Sequence, residues 1–418
     1  MIHSSYYKPR IFSVKGDVEP AEIDRAQTID PTVSLNREKV EEIGRDGVVG
    51  YLKKSPTVAY RLTQLEYGNI EFWQKLVNTS TLGADGQTEI ALSDFKTPYF
   101  DICAYLTDDS GTFRGTVLYP ALRTSGFSIN IGDPQAMVER SFDFVGESAI
   151  IWQGDNEYYI YQKKEVETGD LDSADAINIT FGSGADFEQV PELDPDNAGV
   201  YFYRIVRVRD GESTELTSAD YSYSAPTLTI DDCEVGDVIK LWYSSSDAPD
   251  TQFTLNDSDV EGILGDSVSI YLYIPATGKP SSSDYIYRLQ SVTLDVRFDR
   301  EDVREIGNKE VVSRGIRNST VTATLGRILE QFTVEEVLRG EVADYGKIDV
   351  EKLSDEVALI IKVFEDNTKT TFKYGFKATG LTATELRGGA GINEYVKEDN
   401  SLEGENLIIS ADATVIGI

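Results

Sequence analysis

The chain is short of the residues that carry most protein chemistry, with one histidine, two cysteines and two methionines among 418 residues. The lone His3 sits at an end expected to be mobile, so neither a Ser-His-Asp triad nor a histidine-based metal centre is expected. Cys103 and Cys233 fall in segments assigned to different domains, which excludes a disulfide framework and suits a reducing compartment. No run approaches the ~20 apolar residues that span a bilayer, and Met1–Lys8 lacks an apolar signal core, so a soluble cytoplasmic product with no membrane partner is expected. Basic residues are also scarce. The 39 Lys and Arg face 72 Asp and Glu, a formal charge of −33, which argues against a groove that must neutralise phosphates. Solubility or life in salt explains that acidity as well as a surface that must not hold DNA.

What the chain does have is itself, twice. Asn36–Leu62 aligns without a gap on Asp299–Leu325, so that Arg37, Glu38, Val40, Glu42, Ile43 and Gly44 recur as Arg300, Glu301, Val303, Glu305, Ile306 and Gly307. Val48, Val49, Thr57, Val58 and Leu62 recur as Val311, Val312, Thr320, Val321 and Leu325. A short helical segment follows each copy, at Asn69–Leu76 and Thr333–Leu338, with Asn69 and Thr333 suited to the N-cap. Further echoes keep the same order: Leu106–Asp109 with Phe364–Asn367, Arg123–Gly126 with Lys377–Gly380, and Val145–Ile151 with Glu403–Ile409. The period is far longer than the ~20–50 residues of a solenoid repeat. Two modules are therefore expected, at 1–155 and 265–418, with residues 156–264 between them unmatched.

The patterning is mainly β. In Thr57–Glu66, Val58, Tyr60 and Leu62 alternate with Thr57, Ala59, Arg61 and Thr63; in the second copy Val321, Ala323 and Leu325 alternate with Thr320, Thr322 and Thr324. Ser291–Phe298 alternates likewise through Val292, Leu294, Val296 and Phe298. Such half-buried strands belong to antiparallel sandwiches or barrels. The central segment opens with the loop-rich Glu165–Gly199 and continues with strands at Val200–Val208, Thr227–Ile230 and Val238–Tyr243 and a hairpin signal at Asp210-Gly211. It reads as an inserted β-sandwich of immunoglobulin or fibronectin character, some of whose strands could complete the second module's sheet.

Candidate chemistry is thin. Gly182-Ser183-Gly184 lies in a polar loop without a following helix and reads as a turn, not a nucleotide site. Asp108-Asp109, Asp194-Pro195-Asp196 and Asp231-Asp232 could serve a glycosidase, but carboxylates this abundant meet by chance. Asp194, Asp196 and Asn197 begin a calcium-loop pattern that Ala198 breaks. No catalytic residue, cofactor or metal is assigned, and the chain is read as a non-enzyme.

The two copies of a strand, a Gly-bounded loop, a strand pair, a short helix and a Gly-flanked terminal strand pair resemble the tail tube proteins of tailed bacteriophages. That fold is shared with the inner tube of type six secretion systems. The resemblance covers both modules, and the duplication is similar to a branch in which three chains make a pseudo-hexameric ring. It implies two tandem tail-tube-type β-sandwich or barrel modules, each with one short helix, flanking the central immunoglobulin-like domain. It implies homotrimeric rings stacked in a virion tail assembled in the host cytoplasm, with tail terminator, baseplate and tape-measure proteins as partners and DNA passing without specific binding. Thr57, Arg61, Thr63, Thr320, Thr322 and Thr324 would then face the lumen, and Arg37, Glu38, Glu42, Arg300, Glu301 and Glu305 would lie in loops reaching neighbouring subunits or rings. Two other readings remain open: a surface β-sandwich adhesin whose central domain binds a glycan or receptor, and a carbohydrate-active enzyme using paired acids.

Overall fold

In the computed structural model, the described residues are 6–13, 21–23, 25–41, 48–54, 56–68, 70–77, 89–107, 113–153, 158–172, 175–193, 201–210, 212–245, 262–275, 285–286, 289–303, 313–328, 356–389 and 396–417. They are mainly β, in antiparallel sheets with short helices. The N-terminal strands are β1 (Tyr6–Ser13), β2 (Ala21–Glu22), β3 (Ala26–Ser34), β4 (Arg37–Glu41), β5 (Val48–Lys53), β6 (Thr57–Leu65), β7 (Ile90–Ala91), β8 (Phe100–Thr107), β9 (Phe113–Ile131), β10 (Glu139–Gly146) and β11 (Ile150–Gln153). The central ones are β12 (Tyr158–Glu165), β13 (Ile177–Thr180), β14 (Phe202–Arg209), β15 (Glu212–Glu215), β16 (Tyr221–Ser224), β17 (Thr227–Ile230) and β18 (Val238–Ser245). The C-terminal ones are β19 (Val268–Tyr273), β20 (Leu289–Val303), β21 (Ser313–Ile328), β22 (Val357–Phe364), β23 (Phe372–Gly389), β24 (Lys397–Gly404) and β25 (Asn406–Ser410). Helix α1 spans Glu71–Leu76 and α2 spans Ala413–Ile416.

The strands at the two ends of the chain join one sixteen-stranded sheet whose main path runs β19-β22-β23-β24-β21-β20-β9-β10-β6-β3. The duplication is visible in its pairing. β8 with β9, β9 with β10, β10 with β6 and β6 with β3 are matched by β22 with β23, β23 with β24, β24 with β21 and β21 with β20. The register corrects one sequence echo. Val145 pairs with Arg123 and its counterpart Glu403 pairs with Thr382, so Thr382 and not Lys377 occupies the place of Arg123. Both long strands carry a register shift there, and matching glycines across it slips the alignment.

Alternation along these strands builds the core. Val58, Tyr60 and Leu62, and Val321, Ala323 and Leu325, are buried at 0–1% exposure, as are Val292, Leu294 and Val296. β22 (VALIIKVF) is buried along its whole length, because side chains on both of its faces are covered. The six residues of α1 are too few to hold a helix alone, and packing stabilises it: Trp73 meets Phe127, Phe142 and, from the C-terminal half, Phe376 at 4.9, 5.0 and 5.7 Å between ring centroids. Its N-cap is Ile70, with no side-chain cap; the expected caps Asn69 and Thr333, with the rest of Thr333–Leu338, lie outside the described residues.

The central strands stand apart from the long sheet. β12-β18-β14-β15 and β13-β17-β16 enclose their own core of Ile160, Ile177, Ile179, Phe202, Leu228, Ile230, Leu241 and Tyr243. None of them completes the C-terminal sheet. β14 and β15 form a hairpin with Arg209 opposite Glu212 and Asp210 at φ 51°, a conformation a two-residue turn requires. Both cysteines are buried thiols outside any disulfide, Cys103 on β8 and Cys233 in the central core.

Each module also buries charge at one matched pair of positions. In the first, Arg140 on β10 donates to Gln64 on β6 (3.0 Å) and to Glu66 (3.1 Å). In the second, Arg327 on β21 donates to Glu398 on β24 at 2.7 and 2.8 Å. The cation has changed strands while the pair has stayed. Glu66 also accepts the amides of Tyr67 (2.9 Å) and Gly68 (2.8 Å) and the hydroxyl of Tyr374 on β23, so that one carboxylate ties the two halves together. Burial and the Glu66 carboxylate hold the Tyr374 phenol protonated.

Removing one member of a buried pair strands the other charge. Arg327→Ala should lower stability by about 3–5 kcal/mol in denaturant titration, while Arg327→Met with Glu398→Leu should stay within about 2 kcal/mol of the parent. Asp101 is a further buried carboxylate, pushed up to about 6 by burial against the Ala121 amide (2.8 Å) and Arg204, which pull it down. Because its folded value lies above the unfolded one, stability is lost as pH rises from about 4 to 6. Asp101→Asn should therefore gain on the parent across that window, by up to roughly 3 kcal/mol, and then run parallel above it.

Candidate functional site: the polar face and open edges of the long sheet

Along β3, β6, β10, β20, β21 and β24 the side chains that alternate away from the core share one face of the continuous sheet. Thr57, Arg61 and Thr63 stand there on β6, and Thr320, Thr322 and Thr324 on β21, all half-buried or exposed. β10, β9 and β20 separate the two groups, which places them ~19 Å apart at ordinary strand spacing. Thr57 accepts a hydrogen bond from Asn36 (2.6 Å), Thr63 and Ser141 hydroxyls lie 3.3 Å apart, and Thr322 pairs with Asp295 on one side and Glu403 on the other.

Between the groups is a shallow depression lined by Arg61, Ser128, Asp143, Asp295, Arg297 and Thr320, most of which sequence reasoning passed over. Arg61 reaches Asp143 at 3.8 Å and Arg297 reaches Asp295 at 2.8 Å. Burial pushes the Asp143 carboxyl up, Asp295 adds to the rise, and Arg61 and Arg297 oppose it. The signal that could have found Asp143 is the alternation of Arg140, Phe142 and Phe144 with Ser141, Asp143 and Val145.

The polar face carries Asp30, Glu139, Asp143, Asp295, Asp299, Glu385, Asp399 and Glu403 against Arg61, Arg123, Arg297, Arg387 and Lys397. Its acidic excess is no greater than that of the chain at large, 72 to 39, so the acidity is not gathered here.

The halves meet where β20 pairs with the second half of β9: Val292 with Ile131, Leu294 with Ile129, Asp295 with Ser128, Val296 with Phe127 and Arg297 with Gly126. Phe298 closes this junction by stacking on Phe95 at 5.4 Å, beside Phe127 at 6.2 Å. Arg300 then donates to the carbonyls of Thr124 (2.5 Å) and Phe95 (2.7 Å). Expected from the sequence in a loop toward another subunit, Arg300 is engaged within its own chain, because the second module docks on the first and brings those carbonyls to it. Arg37 and Glu38 are exposed on the β4–β5 hairpin, with Glu38 2.5 Å from Lys54, which holds its carboxyl low by hydrogen bond and charge. Glu301 is exposed; Glu42 and Glu305 lie outside the described residues, as do Asp108, Asp109, Asp194, Asp196 and Asn197.

The run β3-β6-β10-β9-β20-β21-β24-β23 within this sheet ends, among the described residues, in two unpaired edges. Among the described residues no strand pairs with the outer side of β3, nor with the free side of β23 over Thr382–Gly389, whose counterpart on β9 is the side β20 fills.

No family model matches the chain, and no curated protein matches it. Among solved structures, a chain of the anti-feeding prophage baseplate, determined by cryo-EM with six-fold symmetry, covers 37% of this chain and 96% of its own, at 9% identity and a TM-score of 0.27. A likeness that weak carries no argument about function; the sheet geometry has to carry it.

Phe298→Ala removes a ring that is 5% exposed and should cost about 3–4 kcal/mol in denaturant titration. Leu35→Ala, at the matching position of the first module and 57% exposed, should change the midpoint by less than about 0.5 kcal/mol.

Proposed function

We propose that this chain is a structural, non-enzymatic tail tube subunit: three copies close into a ring of six similar modules, and rings stack into a hollow virion tail. One observation carries the reading. The two modules are joined by a strand of one completing the sheet of the other, and the resulting run β3-β6-β10-β9-β20-β21-β24-β23 is, among the described residues, open at both ends. A covalently linked pair of this kind imitates two neighbouring subunits. Each module offers four strands to the common sheet, so six of them supply a continuous wall, and closure removes both exposed edges.

The face turned away from the core becomes the lumen. Its threonines and serines are short, and Arg61 and Arg297 are engaged by Asp143 and Asp295, which reduces what can grip a phosphate backbone. The excess of carboxylates repels DNA, so a genome slides without specific binding. The partners of such a tube are further copies of the chain along its length, tail terminator and baseplate at its ends, and a tape-measure protein inside. The central sandwich would stand outside the ring wall.

Negative-stain electron microscopy across a concentration series tests the reading. Rings with a central hole and three-fold or pseudo-six-fold symmetry are expected, alone or in stacks. Particles that stay at the 46.3 kDa of one chain at every concentration, in light scattering and on the grid, would overturn it.

A further inference from the structure

We infer that the two open edges are the halves of one head-to-tail contact: β3 of one copy adds to the Thr382–Gly389 stretch of β23 in the next, in the register that β20 keeps with β9 inside the chain. The inference rests on the self-assembly part of the proposed function and is independent of what passes through the tube.

The register follows from matched pairs. Ile29, Pro31 and Val33 face Leu62, Tyr60 and Val58 on β6 as Val292, Leu294 and Val296 face Leu325, Ala323 and Val321 on β21. Leu386 faces Asn400 on β24 as Phe127 faces Phe142 on β10. Carrying the internal pairs Val296 with Phe127, Asp295 with Ser128 and Leu294 with Ile129 across to the open edges sets Val33 opposite Leu386, Thr32 opposite Arg387 and Pro31 opposite Gly388.

The exposed apolar side chains fall where this contact needs them. Val33 is 43% and Leu35 57% exposed, whereas their counterparts Val296 and Phe298 are 0% and 5% exposed at the internal junction. Leu35 stands where Phe298 covers Phe127, and in the next copy Leu386, only partly buried, stands where Phe127 does. Arg37 takes the place of Arg300; the carbonyl matching that of Thr124 is Ala383, since Thr124 faces Phe144 as Ala383 faces Leu402. Pro31 has no N–H to give, so the ladder between copies has at most one donor fewer than the internal one, and Gly388 leaves room for its ring. Because the two edges differ, the contact is heterologous and either closes a ring or propagates.

A disulfide across the register is the test. Thr32→Cys with Arg387→Cys, in the full chain, puts two thiols on the polar face of directly opposed residues, within bridging distance, while Cys103 and Cys233 stay buried. Mild oxidation should give chain-to-chain crosslinks ending at a trimer on a non-reducing gel. Thr32→Cys with Leu386→Cys, one residue out of register, turns the second thiol to the other face and should give none. Equal crosslinking in both variants, or none in either, overturns the inference. Rings on the grid without the Thr32–Arg387 bridge would sink this docking and leave the tube; bridged chains that never close would keep the docking and sink the tube. Leu35→Asp guards against misfolding: it should weaken self-association by about ten-fold or more with an unchanged unfolding midpoint, and unchanged association would also overturn the inference.

Discussion

A strand edge carries unpaired amides and carbonyls, and the rest of this structure is arranged around how one such edge is filled. The second half of β9 accepts β20 from the far end of the chain, and the two modules thereby share one sheet and one hydrophobic core. Trp73 lies on that shared core, touching Phe127 and Phe142 from its own half and Phe376 from the other. Glu66, held by Arg140 and reached by Tyr374, adds a polar tie, and Phe298 and Arg300 add a cap and a clamp. Without the strand pairing the contacts that cross between the halves, Trp73 with Phe376, Glu66 with Tyr374, and Phe298 and Arg300 with Phe95 and Thr124, would not form.

The duplicated positions show the same architecture met with different chemistry. A buried cation sits on β10 in one module and on β21 in the other, each answered across the sheet by the partner strand or a carboxylate next to it. Either arrangement satisfies the same requirement, that a charge withdrawn from water keep a hydrogen-bonded partner. At the junction the substitutions run one way: Phe298 and Phe127 inside the chain correspond to Leu35 and Leu386 at the open edges. A permanent internal contact is built with large rings, and the contact proposed between copies with smaller aliphatic groups, which suits an association that must find its register before it tightens.

The polar face behaves differently from the core because only alternation, not packing, constrains it. Its charges pair locally, Arg61 with Asp143 and Arg297 with Asp295, and such exposed pairs contribute little to stability. Their effect is on what the surface rejects. With the acidic excess no greater here than elsewhere, repulsion of polyanions is a property of the whole molecule and not of a tuned patch.

What the sequence determined by itself was local and periodic. The alternation of Val58, Tyr60 and Leu62 with Thr57, Arg61 and Thr63 decided which side of the strand is buried, since a period of two leaves no other choice. The gapless match of Asn36–Leu62 to Asp299–Leu325 announced the duplication, and Asp210-Gly211 its hairpin. Tertiary structure decided what depends on residues distant in the chain: that β20 pairs with β9, that Arg300 is spent on Thr124 and Phe95, that the counterpart of Arg123 is Thr382, and that Asp143 joins Arg61 on the polar face. Periodicity reports which way a side chain points but not which strand lies beside it; that choice is made by edges and cores assembled from segments more than a hundred residues apart, such as Arg300 and Thr124.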